Sequence, residues 1–343
     1  MSGIDPTSQP TEQASSANNR SVIIQQAAQL FVGLNAVWSL RCALGIPFQG
    51  APDAAKHIIV NVLSCGSFFG DRSKLTEIGL VAFSLHDLQD LVAIGPGYHA
   101  ENILGRVHFY HYRLISNAHL GISKNVAGSP ENNRFGNTRF VDEKQMRDLL
   151  QDSFCWPIDA TRPELGYCPI VLLGHTLDVH LQLLQQSLNV DISNFGTIVA
   201  TTDTRQIARE IGMRGPHPTG LGHLMNRFGI AHRNVGTAGN DAAYTAIVSI
   251  LMALSPELYY NLHPLDPANT AIKTPQAVVD AIEAHSKTAT KSSYGVARYC
   301  TKCGRTGHVR KYCKTMVQCK KCLAAGREKS STTHVDSRCG FSP

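Results

Sequence analysis

Four residues near the carboxyl end of the chain have the spacing of a compact metal site. They are Cys300, Cys303, His308 and Cys313, in the pattern C-x2-C-x4-H-x4-C. Zinc prefers four thiolate or imidazole donors at the corners of a tetrahedron. Two cysteines separated by two residues reach one ion from a single tight turn, and the glycines that follow let the backbone wrap around it. The pattern predicts a zinc site, and a segment with so few large apolar residues should fold only around its metal.

A second set of the same four donor types follows directly. It consists of Cys319, Cys322, His334 and Cys339, in the pattern C-x2-C-x11-H-x4-C. The first and last intervals repeat those of the first set, and the middle interval is seven residues longer. We predict a second zinc ion here, with the excess residues in a bulged loop. The alternatives are a flexible tail with unused thiols and, less favoured because the first set is complete by itself, two cross-braced sites.

The first set resembles the CCHC zinc knuckle of retroviral nucleocapsid and retroelement gag proteins, and all four ligands match. This resemblance implies binding of single-stranded nucleic acid, which such knuckles mostly recognise. Some knuckles bind proteins instead, so a protein-interaction scaffold remains an alternative.

Positive charge is concentrated in the same segment. The whole chain has a formal charge of +6, whereas residues 300–343 contain ten basic and two acidic residues and the remainder is slightly acidic. Two filled zinc sites with three thiolates each would remove about two charges and leave the segment basic. We predict that these basic residues contact phosphates and that Tyr299 and Tyr312 stack on unpaired bases. The predicted nucleic-acid-binding residues are Lys302, Arg305, Arg310, Lys311, Tyr312, Lys314, Lys320 and Lys321.

The rest of the composition indicates a folded intracellular protein. Hydrophobic residues make up 43% of the chain, and no apolar run reaches the roughly 20 residues of a membrane-spanning helix. The polar N-terminus lacks the basic-then-apolar order of a signal peptide. We therefore expect a nuclear or cytoplasmic location, no secretion and no membrane partner. The other four cysteines show no pair spacing and are expected to be buried thiols.

The chain divides into four predicted parts. Residues 1–20 are polar and expected to be disordered, residues 25–260 form a body with an insertion at 42–74, residues 262–298 form a linker, and residues 299–343 form the zinc module. Strands followed by alternating strands and helices predict an α/β fold with a mixed sheet flanked by helices. Predicted strands lie at 29–34, 76–83, 106–114, 169–173 and 197–200, a loop at 123–140, and helices at 142–150, 177–187, 204–212, 218–228 and 240–254.

Several body segments together resemble the DEDDh 3′–5′ exonuclease-like domain, which has the ribonuclease H-like fold. The similarity extends in particular to a fungal family of exonuclease-like domains named after an mRNA-export factor. The pieces occur in family order over about residues 25–255. They are Leu30-Phe-Val-Gly-Leu34, Thr76-Glu-Ile-Gly-Leu80, His111-Tyr-Arg-Leu-Ile-Ser-Asn-Ala-His119, Val171-Leu-Leu-Gly-His175, Asp203-Thr and Ala238-Gly-Asn-Asp-Ala-Ala-Tyr-Thr245.

The same resemblance implies that most catalytic positions are substituted. Active members hold two metal ions with carboxylates and use a histidine as general base. The Asp and Glu of the first strand fall on Asn35 and Val37, and the Asp of the helix after Gly-His falls on His180. The general-base histidine falls on Gly236, so only Asp241 keeps its role. One carboxylate and one amide cannot hold two Mg²⁺ ions, which predicts a catalytically inactive exonuclease-like domain without Mg²⁺.

The remaining acids and histidines of the body have structural interpretations. Asp203 is expected to cap a helix, Glu77 to form a structural pair, and the histidines at 108, 111, 119 and 175 to pack or form hydrogen bonds. Together these features predict a nucleic-acid-binding protein, with single-stranded RNA favoured over DNA. The enzymatic alternative is an active metal-dependent exonuclease in which Asp178 and His232 replace the missing groups.

Overall fold

The computed structural model describes residues 22–46, 53–121, 129–213, 220–260 and 274–341. The predicted disorder of residues 1–20 therefore lies outside the described residues. The described strands are β1 (Ile59–Phe68), β2 (Asp71–Ser84), β3 (His108–Leu114), β4 (Thr138–Val141), β5 (Ile170–Gly174) and β6 (Ile198–Asp203). The described helices are α1 (Val22–Phe31), α2 (Ala36–Ala43), α3 (Leu91–Ile94), α4 (Glu101–Leu104), α5 (Glu143–Phe154), α6 (Leu177–Leu188), α7 (Thr204–Glu210), α8 (Leu221–Arg227), α9 (Ala238–Ala253), α10 (Pro275–Ala289), α11 (Lys320–Ala324) and α12 (Glu328–Ser331).

One mixed sheet carries the body. Its strand order is β4-β3-β2-β1-β5-β6, and β2 runs antiparallel to both of its neighbours while the other adjacent pairs are parallel. Strand β5, which lies between β1 and the edge strand β6, is buried at every residue, as expected for the uninterrupted apolar sequence Ile-Val-Leu-Leu-Gly with helices on both sides. The prediction of a mixed α/β sheet flanked by helices is confirmed.

Two apolar cores cover the two faces of this sheet. One core joins the sheet to α2, α7, α8, α9 and α10, and the other joins it to α5 and α6. The long helix α9 lies against β2 at backbone distance because Gly79 has no side chain there. A Cβ atom at this position would lie 1.9 Å from the carbonyl oxygen of Ala238.

The first strand is not where the sequence pattern placed it. Residues 22–31 form α1, and Asn35 is the N-cap of α2, where its side chain accepts a hydrogen bond of 2.9 Å from the amide of Trp38. The buried positions Ile24, Ala27 and Phe31 recur at helical spacing, so the apolar run is one face of a helix. The assignment of Asn35 and Val37 to a catalytic first strand is therefore wrong.

The predicted insertion at 42–74 is also wrong, since it contains β1, the centre of the sheet. The predicted loop at 123–140 contains the start of β4, which pairs with β3. The predicted linker includes α10, which buries Val278, Val279 and Ile282 in the core of the body. The remaining predicted strands and helices match described elements within a few residues, although β2 and β6 are longer than predicted.

The segment from residue 299 packs against the body. Its backbone forms short turns, and the long interval of the second Cys/His set is occupied by the helices α11 and α12 instead of a bulged loop. Among the residues that the structure describes, no helix has the length and apolar character needed to cross a membrane.

Candidate zinc sites and nucleic-acid interface

The first Cys/His set is assembled by a tight turn. The amide of Gly304 donates to the carbonyl of Cys300 at 2.8 Å, and the amide of Cys300 donates to the carbonyl of Arg305 at 2.9 Å. Gly304 has a φ of 74° and Gly307 one of 88°, which is left-handed backbone that favours glycine. These turns bring the four donor atoms of Cys300, Cys303, His308 and Cys313 within 4.8 Å of one another.

The spacing of these donors fits a zinc ion. A tetrahedron with zinc–sulfur bonds of about 2.3 Å and zinc–nitrogen bonds of about 2.1 Å places sulfur and nitrogen about 3.6 Å apart. The Sγ of Cys303 lies 3.4 Å from the Nε2 of His308. The donor types and their separations therefore match a Cys3His zinc site.

The second set converges in the same way. The Sγ of Cys322 lies 3.6 Å from the Nε2 of His334 and 3.6 Å from the Sγ of Cys339, and Cys319 completes a group whose donor atoms all lie within 4.8 Å. Each group uses ligands that are consecutive in the sequence, which excludes the cross-braced alternative. The four predicted ligands of the second site are thus brought together.

The basic residues of this segment point mostly into solvent. Of the eight residues predicted to contact nucleic acid, Lys302 is half-buried and the other seven are exposed. Among the described residues, none of the eight side chains forms an ion pair with a carboxylate. Their positive charge is therefore available to an external polyanion.

The two tyrosines have different environments. Tyr312 is 68% exposed, and the Nζ of Lys311 lies 5.6 Å from its ring centroid, so this aromatic face is accessible. Tyr299 is only 3% exposed and packs between the ring of Phe140 and the guanidinium of Arg338. The predicted stacking of Tyr299 on a base is therefore wrong, because this ring fastens the module to the body.

Arg338 also joins the module to the body, whereas the sequence indicated only its positive charge. Its guanidinium lies 5.2 Å from the centroid of the Tyr299 ring and donates to the carbonyl of Ile115 at 2.9 Å. The amide of Val335 donates to the carbonyl of Lys302 at 3.2 Å, which ties the second Cys/His set to the first. No spacing in the sequence indicates these contacts, which join residues that are far apart in the chain.

In the body, Asp241 lies in the first turn of α9. Its Oδ1 accepts a hydrogen bond of 2.8 Å from the amide of Gly236, the residue at which the sequence resemblance predicts a substituted general base. Burial raises the pKa of Asp241 to about 7; the hydrogen bond from Gly236 opposes this rise, and the negative charge of Glu77 adds to it.

Glu77 is committed to structure. Its buried carboxylate accepts from the amide of Ala238 at 3.0 Å and lies 2.6 Å from the Nε2 of His111, whose Nδ1 is 2.8 Å from the hydroxyl of Thr138. The predicted structural pairing of Glu77 is confirmed. The predicted cap is confirmed too, since the Oδ1 of Asp203 accepts from the amide of Arg205 at 2.8 Å at the start of α7.

Strand β1 carries no carboxylate, and the acid close enough to raise the pKa of Asp241 is Glu77 of β2. Along β1, Val60 and Val62 contribute to the core that contains α9, and alternation puts Ser64 on the same side. His180 lies beside this strand, where its Nδ1 accepts from the amide of Cys65 at 3.2 Å and its Nε2 is 3.1 Å from the carbonyl of His175. Both nitrogens of His180 are therefore engaged with the backbone.

The body histidines at 111 and 175 are hydrogen-bonded, as predicted. The Nδ1 of His175 lies 2.5 Å from the hydroxyl of Thr204, and burial lowers the pKa of this ring to about 4. Burial also lowers the pKa of His119 to about 4, and the positive charge of Arg338 adds to this effect. His108 instead lines a surface hollow.

Fold and site together define an exonuclease-like α/β domain of the ribonuclease H-like class, followed by a module with two Cys/His clusters of zinc-binding type. Residues 65–252 match the DEDDh family model described as DNA polymerase III subunit epsilon-like, C-terminal domain. Because this match covers more than half of the chain, the chain belongs to this family. No curated protein matches the chain at a significant level.

Proposed function

We propose that this protein binds single-stranded nucleic acid, preferably RNA, through a zinc module held on a catalytically inactive exonuclease-like body. The observation that carries the proposal is the convergence of two complete Cys3His sets beside exposed, unpaired basic side chains. The exposed ring of Tyr312 adds a surface on which a base can stack. The predicted similarity to the fungal family stays a prediction.

The inactivity of the body is supported by its charges. Two-metal cleavage needs several carboxylates around one point, whereas β1 has none and Glu77 is bound to an amide and to His111. Asp241 is the acid of the family pattern that remains, and one carboxylate is too few to hold two metal ions.

Binding of a fluorescein-labelled 12-nucleotide RNA, measured by anisotropy at several salt concentrations, tests the proposal. We expect the affinity to fall steeply as salt rises, because each contacted phosphate releases condensed counterions. Cys303→Ser should weaken binding by more than tenfold, whereas Cys155→Ser, which removes a thiol of the body, should leave the affinity unchanged. Equal affinity in low and high salt, or equal affinity of Cys303→Ser and wild type, would count against the proposal.

The enzymatic alternative is favoured by one observation, the position of Asp241 on the helix that supplies the last acid in the family. Incubation of the purified chain with end-labelled RNA and DNA in the presence of Mg²⁺ or Mn²⁺ separates the two functions. Shortening of the labelled strand from its 3′ end that is abolished by Asp241→Ala would establish the exonuclease and refute the inactive body.

A further inference from the structure

Three adjoining hollows form one groove on the body, away from Asp241. Their volumes are 420, 240 and 850 Å³, and Tyr110 lines all three of them. Trp156 is shared by the first two hollows and Lys291 by the last two. The groove therefore joins an aromatic part to a basic part.

The largest hollow is lined by three cations, while the nearest carboxylates are Glu283, which interacts with Lys287, and Asp152, which lines the middle hollow. The described residues that line the largest hollow include Arg139, Lys287 and Lys291 but no Asp or Glu. Arg139 donates to the carbonyls of Tyr294 and Gly295, and the Nζ of Lys287 donates to that of Gly136 at 2.6 Å. These neutral partners hold both cations in place, and although Glu283 offsets part of the charge of Lys287, the hollow keeps a net positive charge that suits a phosphate group.

The aromatic part offers flat rings at the edge of solvent. Trp156 is 46% exposed, and Tyr110 is half-buried with its ring parallel to that of Tyr112 at a centroid distance of 6.2 Å. The hydroxyl of Tyr112 lies 2.9 Å from that of Ser292, and this contact holds the Tyr112 ring in place next to Tyr110. Stacking of a base against such rings increases the affinity for a strand of any sequence, because every base has a flat aromatic face.

A buried polar group beneath these rings lacks a partner. Asn61 lines the middle hollow, and its Nδ2 donates to the carbonyl of Ser153 at 2.7 Å. Its Oδ1 accepts no hydrogen bond from the described residues, although Asn61 is completely buried. An acceptor left in this way is costly, and the exocyclic amino group of a base is a donor of the required kind.

We propose that this groove is a second track for single-stranded nucleic acid, with phosphates beside Arg139, Lys287 and Lys291 and a base against Tyr110 and Trp156. It rests on the proposed function, because residues 290–297 lie beside the groove and lead directly into Cys300 of the zinc module. One strand can thus pass from the module onto the body. An acidic peptide would use the cations alone and would leave the rings and Asn61 without a role.

The test uses the full chain with Trp38→Phe, which leaves Trp156 as its single tryptophan. Addition of a ten-nucleotide oligodeoxyadenylate should quench the Trp156 emission, because a base stacks on the indole ring. An abasic strand of the same length should bind through its phosphates with little quenching. Quenching of equal size by the abasic strand or by an oligoglutamate peptide would overturn the assignment of a base.

Variants test the same groove by anisotropy with labelled oligodeoxyadenylate. Trp156→Leu and Tyr110→Leu should each weaken binding by about tenfold through lost stacking, and Lys291→Ala by about threefold through one lost phosphate contact. Arg209→Ala removes one charge from α7 near the opposite edge of the sheet and should have no effect. Unchanged affinity in Trp156→Leu, whose side chain is 46% exposed, would overturn the proposal.

The two proposals fail in different ways. If Cys303→Ser binds as wild type does and the Trp156 emission is quenched, the groove is supported and the function proposed for the zinc module is refuted. If Cys303→Ser loses binding while the Trp156 emission is unchanged and Trp156→Leu binds as wild type does, the function proposed for the zinc module is supported and the groove is refuted. Absence of binding to wild type in low salt would overturn both.

Discussion

Asp241 is a carboxylate in surroundings that oppose its charge. Its pKa is raised from an ordinary value of 3.8 to about 7, first by burial, with a hydrogen bond from Gly236 acting in the other direction. The folded chain therefore holds this proton more tightly than the unfolded chain does. The stabilisation is complete below about pH 4 and is lost as the pH rises through about 7.

Asp241→Asn should remove this dependence while keeping an oxygen that accepts from Gly236. We expect the variant and wild type to have similar free energies of unfolding at pH 4, and the variant to be more stable by about 4 kcal/mol at pH 8. Urea denaturation at the two pH values measures the difference. A stability gap that does not widen with pH would contradict the raised pKa.

At the scale of the element, Asn35 acts as a helix cap and not as a metal ligand. Asn35→Ala removes the acceptor for the amide of Trp38 and should lower the free energy of unfolding by about 1 kcal/mol. Asn35→Asp supplies an equivalent acceptor and should keep the stability of wild type. Thermal unfolding of both variants tests the cap. At a catalytic position, Asn35→Asp would instead be expected to create metal binding, seen as a rise in melting temperature when Mg²⁺ is added.

The contact between β2 and α9 allows no side chain at Gly79. Gly79→Ala should lower the free energy of unfolding by at least about 3 kcal/mol, because its Cβ would lie 1.9 Å from a backbone oxygen and the two elements would have to separate. Gly220→Ala is the matched control, since a Cβ at that position meets no atom within 4 Å. Denaturant unfolding of the two variants gives the comparison, and equal midpoints would refute the close contact.

Elements with a strong internal pattern could be predicted from the sequence, and those that depend on context could not. The apolar run of β5 and the helical pattern of α6 are sufficient by themselves. The run at 29–34 by itself fits a short strand, whereas residues 22–28 contain apolar positions that continue it as one face of a helix. With a strand predicted at 29–34, the sequence of β1 falls in the predicted insertion, although β1 lies at the centre of the sheet.

The candidate site divides in the same manner. Ligands of the two Cys/His sets follow from local spacing, because turn geometry within a few residues decides which donors meet. The groove lined by Tyr110, Trp156 and Lys291 could not be predicted, since its residues come from three distant parts of the chain. The docking of Arg338 onto Tyr299 was hidden for the same reason.

At the scale of the whole molecule, the body has a large apolar core whereas the module depends on its Cys/His sets. Removal of zinc with a chelator should therefore expose the backbone of residues 300–341 to hydrogen exchange and leave β1, β2 and β5 protected. Native mass spectrometry should show two zinc ions per chain before chelation. Global loss of protection on chelation would contradict the independence of the body.

Arg338 lies one residue before a ligand of the second Cys/His set, and it covers the ring that precedes the first ligand of the first set. An ion in the second site thus holds Arg338 against Tyr299, the residue that precedes the first ligand of the first site. The hydrogen bond from the amide of Val335 to the carbonyl of Lys302 likewise links the two sites. Loading of the two sites should consequently be cooperative, with the singly loaded species scarce at half saturation. The module would then respond to free zinc over a narrower concentration range than two separate knuckles.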